Sequence, residues 1–100
     1  MIINFLLSAE QEFAEAVDYY NKQLAGLGFE FAAEVKYTLE RILLYPNAWS
    51  PFSNRTRRCI INRFPYGILY QVRQDMILVM AIMHLKKSPI RWQERIKNQS

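Results

Sequence analysis

The sequence predicts one α+β domain in which a helical hairpin packs on one face of a mainly antiparallel four-stranded sheet. Three observations support this prediction. Three strand-like runs follow one another between residues 57 and 84, two segments with helical spacing precede them, and another apolar run opens the chain. The 100 residues, 51% of them hydrophobic, are enough to form a core without disulfides or metal ions. We therefore assign residues 1–100 to a single domain.

The first half of the chain is predicted to form one strand and two helices. Residues 2–7 are an apolar run of strand length, and Ser8 to Gln11 match the capping-box pattern that begins many helices. Apolar residues then recur three or four positions apart over residues 9–24 and again over residues 29–45. The short, glycine-containing link between these two segments predicts an antiparallel hairpin.

The second half is predicted to supply the other three strands. Residues 57–63 and 68–73 are rich in apolar and β-branched side chains. Pro65 lies between them and suits a corner, because proline cannot donate a hydrogen bond to a sheet. Residues 76–84 are apolar up to Met83, which fits a central strand buried on both faces, although a buried helix segment has the same composition.

Two connecting segments and a core complete the predicted fold. Residues 47–54 combine prolines with polar residues and are expected to form a loop, and Ser88-Pro89 predicts the start of a short C-terminal helix. The helices and strands are expected to share one core. Its predicted members are Phe13, Val17, Phe31, Val35, Leu39, Ile68, Tyr70, Val79 and Ile82.

Charge is distributed unevenly along the chain. The first fifty residues hold three basic side chains against seven acidic ones, whereas the last fifty hold ten against two. This asymmetry indicates a negatively charged partner, either nucleic acid or an acidic protein segment, on the C-terminal half. The alternative is a solvated basic face that is balanced by acidic helices.

The composition disfavours several kinds of site. The chain has one histidine, His84, and one cysteine, Cys59, too few for the usual metal centre, and it has no glycine-rich phosphate loop. We therefore expect no cofactor, no metal and no small-molecule substrate. Cys59 lies in a strand-like run and is expected to be a buried structural thiol. Neither a signal peptide nor a membrane span is predicted, so a cytoplasmic location without membrane contact is expected.

A basic surface with aromatic members remains as the candidate site. Arginine binds phosphate and aromatic rings stack on bases, so contact with nucleic acid is one hypothesis. The predicted target- or nucleic-acid-binding residues are Arg55, Arg57, Arg58, Arg63, Arg73, Lys86, Lys87, Trp92 and Arg95. If the protein cleaves RNA, the residues expected to bind the phosphate and transfer protons are His84, Lys86, Lys87 and Arg58. The alternative for His84 is a structural hydrogen bond at a strand end.

Four motifs occur in a particular order along the chain. They are the Gly26-Leu27-Gly28 link with the segment from Phe31 to Val35, the Pro46-Asn47 helix end, the stretch from Arg63 to Tyr70, and the closing set of His84, Pro89 and Trp92. Together they resemble the RelE/ParE toxins of bacterial toxin–antitoxin pairs, also known as plasmid stabilisation proteins, and most of all the ParE branch. The resemblance covers nearly the whole chain and implies the same α+β fold.

The resemblance also implies a function and partners. It implies that the chain is the toxin of a type II toxin–antitoxin system, that a small antitoxin protein neutralises it, and that DNA gyrase is its target, as in the ParE branch. The RelE branch instead cleaves messenger RNA on the ribosome. A ribosome-dependent endoribonuclease is therefore the alternative function.

The chain departs from the RelE pattern at three places. Gly67 follows Tyr66 where nuclease members carry an arginine, Cys59-Ile60-Ile61 replaces a lysine-rich strand, and Trp92 is the nearest counterpart of a C-terminal tyrosine. Lys86 and Lys87 keep the basic pair after the last strand. These departures favour the gyrase inhibitor, while the question of enzymatic activity stays open.

Overall fold

The structure, a computed structural model, describes residues 1–87 and 90–99 of the chain. Its elements follow the predicted order with one added strand. They are β1 (Ile2–Phe5), α1 (Leu7–Gln23), α2 (Leu27–Leu44), β2 (Ser50–Ser53), β3 (Thr56–Ile60), β4 (Tyr66–Arg73), β5 (Met76–His84) and α3 (Ile90–Gln99). The predicted α+β fold is confirmed.

The strands form one sheet in the order β1-β5-β4-β3-β2. The pairs formed by β2 with β3, β3 with β4 and β4 with β5 are antiparallel, whereas β1 lies parallel to β5. Strand β5 therefore has a neighbour on each side, and its residues from Ile77 to Met83 are all buried. The prediction of a central strand over residues 76–84 is confirmed.

Helices α1 and α2 cover one face of the sheet, here called the inner face. The link between them turns at Gly26, whose φ of 89° is accessible to glycine at little cost. Gly28 packs so closely on α1 that a Cβ at this position would collide with the carbonyl oxygen of Val17. Its N–H donates to Oδ1 of Asn21 at 2.8 Å, which holds the start of α2 against α1.

Most of the predicted core lies between the hairpin and the inner face. Six of its members are fully or almost fully buried: Phe31, Val35, Ile68, Tyr70, Val79 and Ile82. The other three, Phe13, Val17 and Leu39, are half-buried and pack against the same cluster. The helical stripes therefore face the sheet as predicted, with these three side chains at the margin of the core.

A fifth strand is the main difference from the predicted fold of four strands and a loop over residues 47–54. Within that segment Ser50–Ser53 forms β2 and pairs with β3 at the edge of the sheet. Pro51 is tolerated because an edge strand needs backbone hydrogen bonds on one side only. Three of its four residues are exposed, and the strand has no alternating pattern to identify it.

The start of α1 also differs from the prediction. The helix begins at Leu7 with Leu6 at the N-cap position, and no side chain caps it. The predicted capping box that begins at Ser8 is therefore wrong, because Ser8 already lies inside the helix. Strand β1 correspondingly ends at Phe5 instead of residue 7.

The turn between β3 and β4 shortens the third strand and lengthens the fourth. β3 ends at Ile60, before Arg63 adopts a left-handed backbone conformation with φ of 72°. β4 begins at Tyr66, directly after Pro65. The predicted helix start at Ser88-Pro89 lies outside the described residues.

Candidate functional site

The face of the sheet opposite the hairpin, here called the outer face, carries part of the predicted basic surface. Side chains alternate between the two faces along a strand. Arg58 of β3 and its neighbour Leu69 of β4 therefore both belong to the outer face. Helix α3 covers one side of this face, where Trp92 and Ile96 pack in one cluster with Leu69 and Met80. Arg58 itself is only partly buried.

Arg58 and two apolar side chains form an exposed patch on the outer face, here called the Arg58 patch. Its apolar members are Ile60, which is 45% exposed, and Leu85, which is 37% exposed. The carbon chain of Arg58 lies over Gly67, where an added Cβ would come within 3.2 Å of Cγ of Arg58 and 3.4 Å of Cδ2 of Leu85. Gly67 thus lets both side chains approach the backbone of β4.

A second arginine of the outer face, Arg73, takes part in a chain of polar side chains. Its Nε and Nη2 donate to Oε1 of Gln71 at 2.9 and 2.7 Å. Nε2 of Gln71 donates in turn to Oγ1 of Thr56 at 2.9 Å. Gln71 and Thr56 are buried, so the chain satisfies their polar groups and fixes the guanidinium at the margin of the sheet.

Three further predicted cations are exposed beyond the ends of the strands. Arg55 occupies the turn between β2 and β3 with φ of 68° and lines the same shallow surface as Arg73. Lys86 and Lys87 follow Leu85 directly and are both exposed. Positive charge is therefore exposed beyond both ends of the strands.

Two of the predicted arginines form contacts with other parts of the chain. Nη1 of Arg57 donates to the backbone carbonyl of Trp49 at 2.8 Å. Arg63 binds Glu30 at 2.7 Å and approaches Glu34 at 3.7 Å, and the hydrogen bond to Glu30 raises the pKa of Arg63. These contacts attach the segment after α2 and the β3–β4 turn to their neighbours. Neither contact tests the predicted role of these two residues in target binding.

Trp92 and Arg95, predicted as target contacts, are bonded to Glu12 of α1. Nη1 and Nη2 of Arg95 each donate to the Glu12 carboxylate at 2.9 Å, and Nε1 of Trp92 donates to it at 3.0 Å. The same carboxylate accepts the backbone N–H of Ile82 at 3.1 Å, and Arg95 donates to the carbonyl of Met80 at 3.0 Å. The Glu12 cluster, formed by Glu12, Trp92 and Arg95, therefore holds α3 against α1 and β5. A target-binding role for the two tail residues stays a prediction.

Glu12 is the residue that sequence analysis missed. In the sequence it is one of several acidic residues in α1 that lie away from the apolar stripe. In the structure its side chain is only 14% exposed. The residues that bond to it lie 70 to 83 positions further along the chain, so no local spacing identifies it.

His84 lines a groove of about 600 Å³ between α1 and the ends of β4 and β5. The walls of the groove also include Glu15, Tyr19, Tyr20, Tyr66 and Lys87. The centres of the His84 and Tyr66 rings are 5.0 Å apart, and Nδ1 of His84 accepts the N–H of Lys86 at 3.1 Å. Burial and then the charges of Lys87 and Lys86 lower the pKa of His84. The ring is therefore neutral at pH 7, with its proton on Nε2.

The structure separates two of the residues named for RNA cleavage. The ring of His84 contacts Tyr66, which packs with Tyr20 and Phe31 on the inner face. Arg58 lies on the outer face, so the sheet stands between the two side chains. A proton-transferring group and a phosphate-binding arginine have to reach the same phosphate, which this arrangement does not favour.

Two other kinds of site are not found among residues 1–87 and 90–99. No three His, Cys, Asp or Glu side chains lie close enough together to hold a metal ion. No helix in this part of the chain has the length and apolar character needed to cross a membrane. Cys59 is buried as predicted, and its burial raises the pKa of its thiol.

The chain is a small α+β protein whose outer face carries an exposed patch that is both basic and apolar. Residues 3–89 match the family model of the ParE toxin of type II toxin–antitoxin system, parDE. The chain therefore belongs to the ParE toxin family, and it is the toxin component of a type II toxin–antitoxin system, as the resemblance implied.

Solved structures share this fold. One of them is described as the chromosomal ParDE TA system from P. aeruginosa, with a TM-score of 0.75 and 12% sequence identity. The match covers 86% of this chain and 97% of that chain. At this identity the likeness concerns the fold alone. No curated protein sequence matches the chain.

Proposed function

We propose that this toxin inhibits DNA gyrase by docking on it through the outer face, and that a small antitoxin protein neutralises it in the cytoplasm. Membership of the ParE family supports the gyrase target, because inhibition of gyrase is what the resemblance to the ParE branch implies. The observation that carries the proposal is the Arg58 patch, an arginine held beside exposed Ile60 and Leu85.

Inhibition by docking requires affinity for a protein surface. In the Arg58 patch the guanidinium belongs to a side chain that is already packed on Gly67, so less conformational entropy is lost on binding. Arginine is one of the residues enriched among those that dominate protein interfaces, and Ile60 and Leu85 would help to exclude water around it. Lys86 and Arg73 add positive charge that speeds encounter with an acidic surface. We therefore expect the contacted surface of gyrase to be acidic.

Three structural features support docking over RNA cleavage. His84 and Arg58 lie on opposite faces of the sheet. An arginine at position 67 would have to displace Arg58 and Leu85, because even a Cβ is crowded there. The indole N–H of Trp92 is bonded to Glu12, and an indole cannot take the proton-transfer role of a tyrosine. The proposal therefore includes no enzymatic activity.

The proposed antitoxin follows from the family and from the charge of the surface. The family belongs to two-component systems, and the similar structure from P. aeruginosa is described as a ParDE system. An acidic segment that folds on binding would suit the outer face, with its Arg58 and Arg73, and the hairpin beside it. Such a segment would cover the surface proposed for gyrase, which explains neutralisation by competition. A short reading frame next to the toxin gene is expected to encode it.

The test is a gyrase supercoiling assay with a matched pair of variants. Arg58→Ala removes the guanidinium from the outer face. Lys22→Ala removes a cation from α1, where Lys22 is 75% exposed and pairs with Asp18 one turn away. We expect Arg58→Ala to raise the half-inhibitory concentration by about tenfold or more, as for a residue that dominates an interface, and Lys22→Ala to leave it unchanged.

Two results would contradict the proposal. Equal inhibition by the two variants would remove the outer face as the docking surface. Cleavage of messenger RNA on translating ribosomes, lost in His84→Ala or Lys86→Ala with an unchanged unfolding midpoint, would establish the endoribonuclease instead.

A further inference from the structure

Helix α2 exposes a row of apolar side chains on the side that faces away from the sheet. Phe29, Tyr37 and Leu44 are 70%, 57% and 70% exposed. At 3.6 residues per turn, these three and the half-buried Ala33 fall within a sector of about 80°, opposite the buried side of the helix. This row, here called the α2 stripe, is about 22 Å long at a rise of 1.5 Å per residue.

The charged residues around the α2 stripe fall into two groups. Glu30 and Glu34 are paired with Arg63 of the β3–β4 turn. Lys36 and Glu40 are exposed on the same side of the helix as the stripe, and neither forms an ion pair within residues 1–87 and 90–99. The stripe therefore offers an apolar surface with one available cation and one available anion.

This pattern is complementary to itself. If two α2 helices lie antiparallel about a two-fold axis between Lys36 and Tyr37, Phe29 of each copy comes opposite Leu44 of the other. Lys36 of each copy then lies within about one helical turn of Glu40 of the other copy, so these two opposite charges attract each other. Tyr37 lies at the crossing, and the small Ala33 lies about one turn away, opposite Glu40 of the other copy, where it leaves room for that side chain.

We propose that a second copy of this chain occupies the α2 stripe and that the protein dimerises through an antiparallel α2 pair. A symmetric interface of this kind repeats every contact twice. A single helix pair of this length buries on the order of 800 Å² in total, below the size of most stable interfaces, so the dimer dissociates readily. The stripe faces away from the sheet, so both outer faces remain accessible in the dimer.

Other occupants fit the α2 stripe less well. A basic partner helix would need unpaired acidic residues along the rim, but Glu30 and Glu34 are already bound to Arg63. A membrane surface would need several lysines or arginines beside the apolar row, and Lys36 is the unpaired cation there. A second copy uses the stripe, Lys36 and Glu40 together, whereas an acidic antitoxin segment would leave Glu40 without an opposite charge.

Sedimentation velocity over a range of protein concentrations tests the proposal with a matched pair of variants. Leu44→Glu places a charge in the stripe, and Leu7→Glu places the same charge at the start of α1, where the leucine is also 70% exposed. We expect the wild type and Leu7→Glu to show a mass that rises with concentration. Leu44→Glu is expected to raise the dimer Kd by about tenfold or more. Circular dichroism checks that both variants remain folded.

Two further experiments test the antiparallel arrangement. Lys36→Glu is expected to weaken the dimer, and addition of Glu40→Lys in the same chain is expected to restore it, because the cross-copy pair is then reversed. Mixing Phe29→Cys chains with Leu44→Cys chains is expected to give mainly mixed disulfides on mild oxidation. Cys59 is only 2% exposed and does not compete.

Three outcomes would overturn the proposal. The first is a wild type that stays monomeric up to about 200 μM, the highest concentration of the series. The second is equal dimerisation of Leu44→Glu and Leu7→Glu. The third is a monomeric wild type whose binding to antitoxin is lost in Leu44→Glu, which would assign the stripe to a different protein.

Discussion

The two halves of β5 have different hydrogen-bond partners along the edge that faces β1. From Met76 to Val79 the edge pairs with β1 through regular parallel backbone hydrogen bonds. Beyond Val79 the chain that forms β1 continues as α1, and side chains are the hydrogen-bond partners of this edge. Glu12 accepts the N–H of Ile82, and Arg95 donates to the carbonyl of Met80. A carboxylate and a guanidinium from two helices thus take the place of a neighbouring strand.

The difference shows how strongly each half depends on individual residues. Backbone pairing with β1 is made by main-chain groups and tolerates many side chains. The second half depends on Glu12, because one carboxylate serves Ile82, Trp92 and Arg95 at once. An unpaired strand edge attracts other chains, so the Glu12 cluster also protects the sheet from unwanted strand pairing.

Glu12→Ala is expected to have the largest effect. Arg95, which is 17% exposed, would lose its counterion, and the N–H groups of Ile82 and Trp92 would lose their acceptor. Removing one partner of such a pair typically costs about 3–5 kcal/mol. Urea denaturation should show this loss and limited proteolysis should release α3 early. Glu15→Ala, an exposed acid one turn away, should change stability by less than about 0.5 kcal/mol. Similar losses of stability in both variants would mean that the Glu12 cluster does not take the place of a strand along the edge of β5.

Trp92→Phe is expected to have an intermediate effect. The substitution keeps most of the buried ring but removes the indole N–H that donates to Glu12. A hydrogen bond to a charged group contributes about 1.5–3 kcal/mol, so a loss near the lower end is expected while Arg95 still binds the carboxylate. In the Glu12→Ala background the same substitution should cost clearly less. Additive losses in this double-mutant cycle would contradict a shared cluster.

The fold was predictable where local patterns carry the information. The period of apolar residues identified both helices to within two residues at each end, and the apolar run identified β5 with its observed bounds. Strand β2 was not predictable in this way, because an exposed edge strand with a proline has neither apolar alternation nor high strand propensity. The start of α1 was misassigned because Ser8 resembles a cap although the helix begins one residue earlier.

The candidate site was less predictable because its geometry depends on distant contacts. Arg57 and Arg58 are adjacent in the sequence and look equivalent, yet one bonds to Trp49 and the other lies over Gly67 on the opposite face. Strand alternation explains this division once the register with β4 is known. The bond between Arg95 and Glu12 joins residues 83 positions apart, so only the folded chain reveals it.

The smallest expected effect concerns His84, the last residue of β5, in the half that pairs with β4 but has no strand on the side of β1. In the folded protein its pKa lies below the ordinary value of 6.5, because of burial first and then the nearby charges of Lys87 and Lys86. Protonation would also remove the lone pair of Nδ1 that accepts the N–H of Lys86. As the pH falls from above 6.5 to below the folded pKa, the unfolded chain binds the proton more readily, so the free energy of unfolding decreases in this window.

The measurement is the urea midpoint of the wild type and of His84→Gln at several pH values between 7.5 and about 5, the interval in which histidine titrates. Glutamine cannot take up a proton, so its midpoint should stay nearly constant where that of the wild type declines. The two proteins should differ less at pH 5 than at pH 7.5, since the wild type has by then lost the advantage of its neutral ring. Parallel curves would mean that His84 titrates as it does in the unfolded chain. The end of β5 would then be solvated as in the unfolded chain. The half of β5 that depends on side chains would in that case end at Ile82 and not include His84.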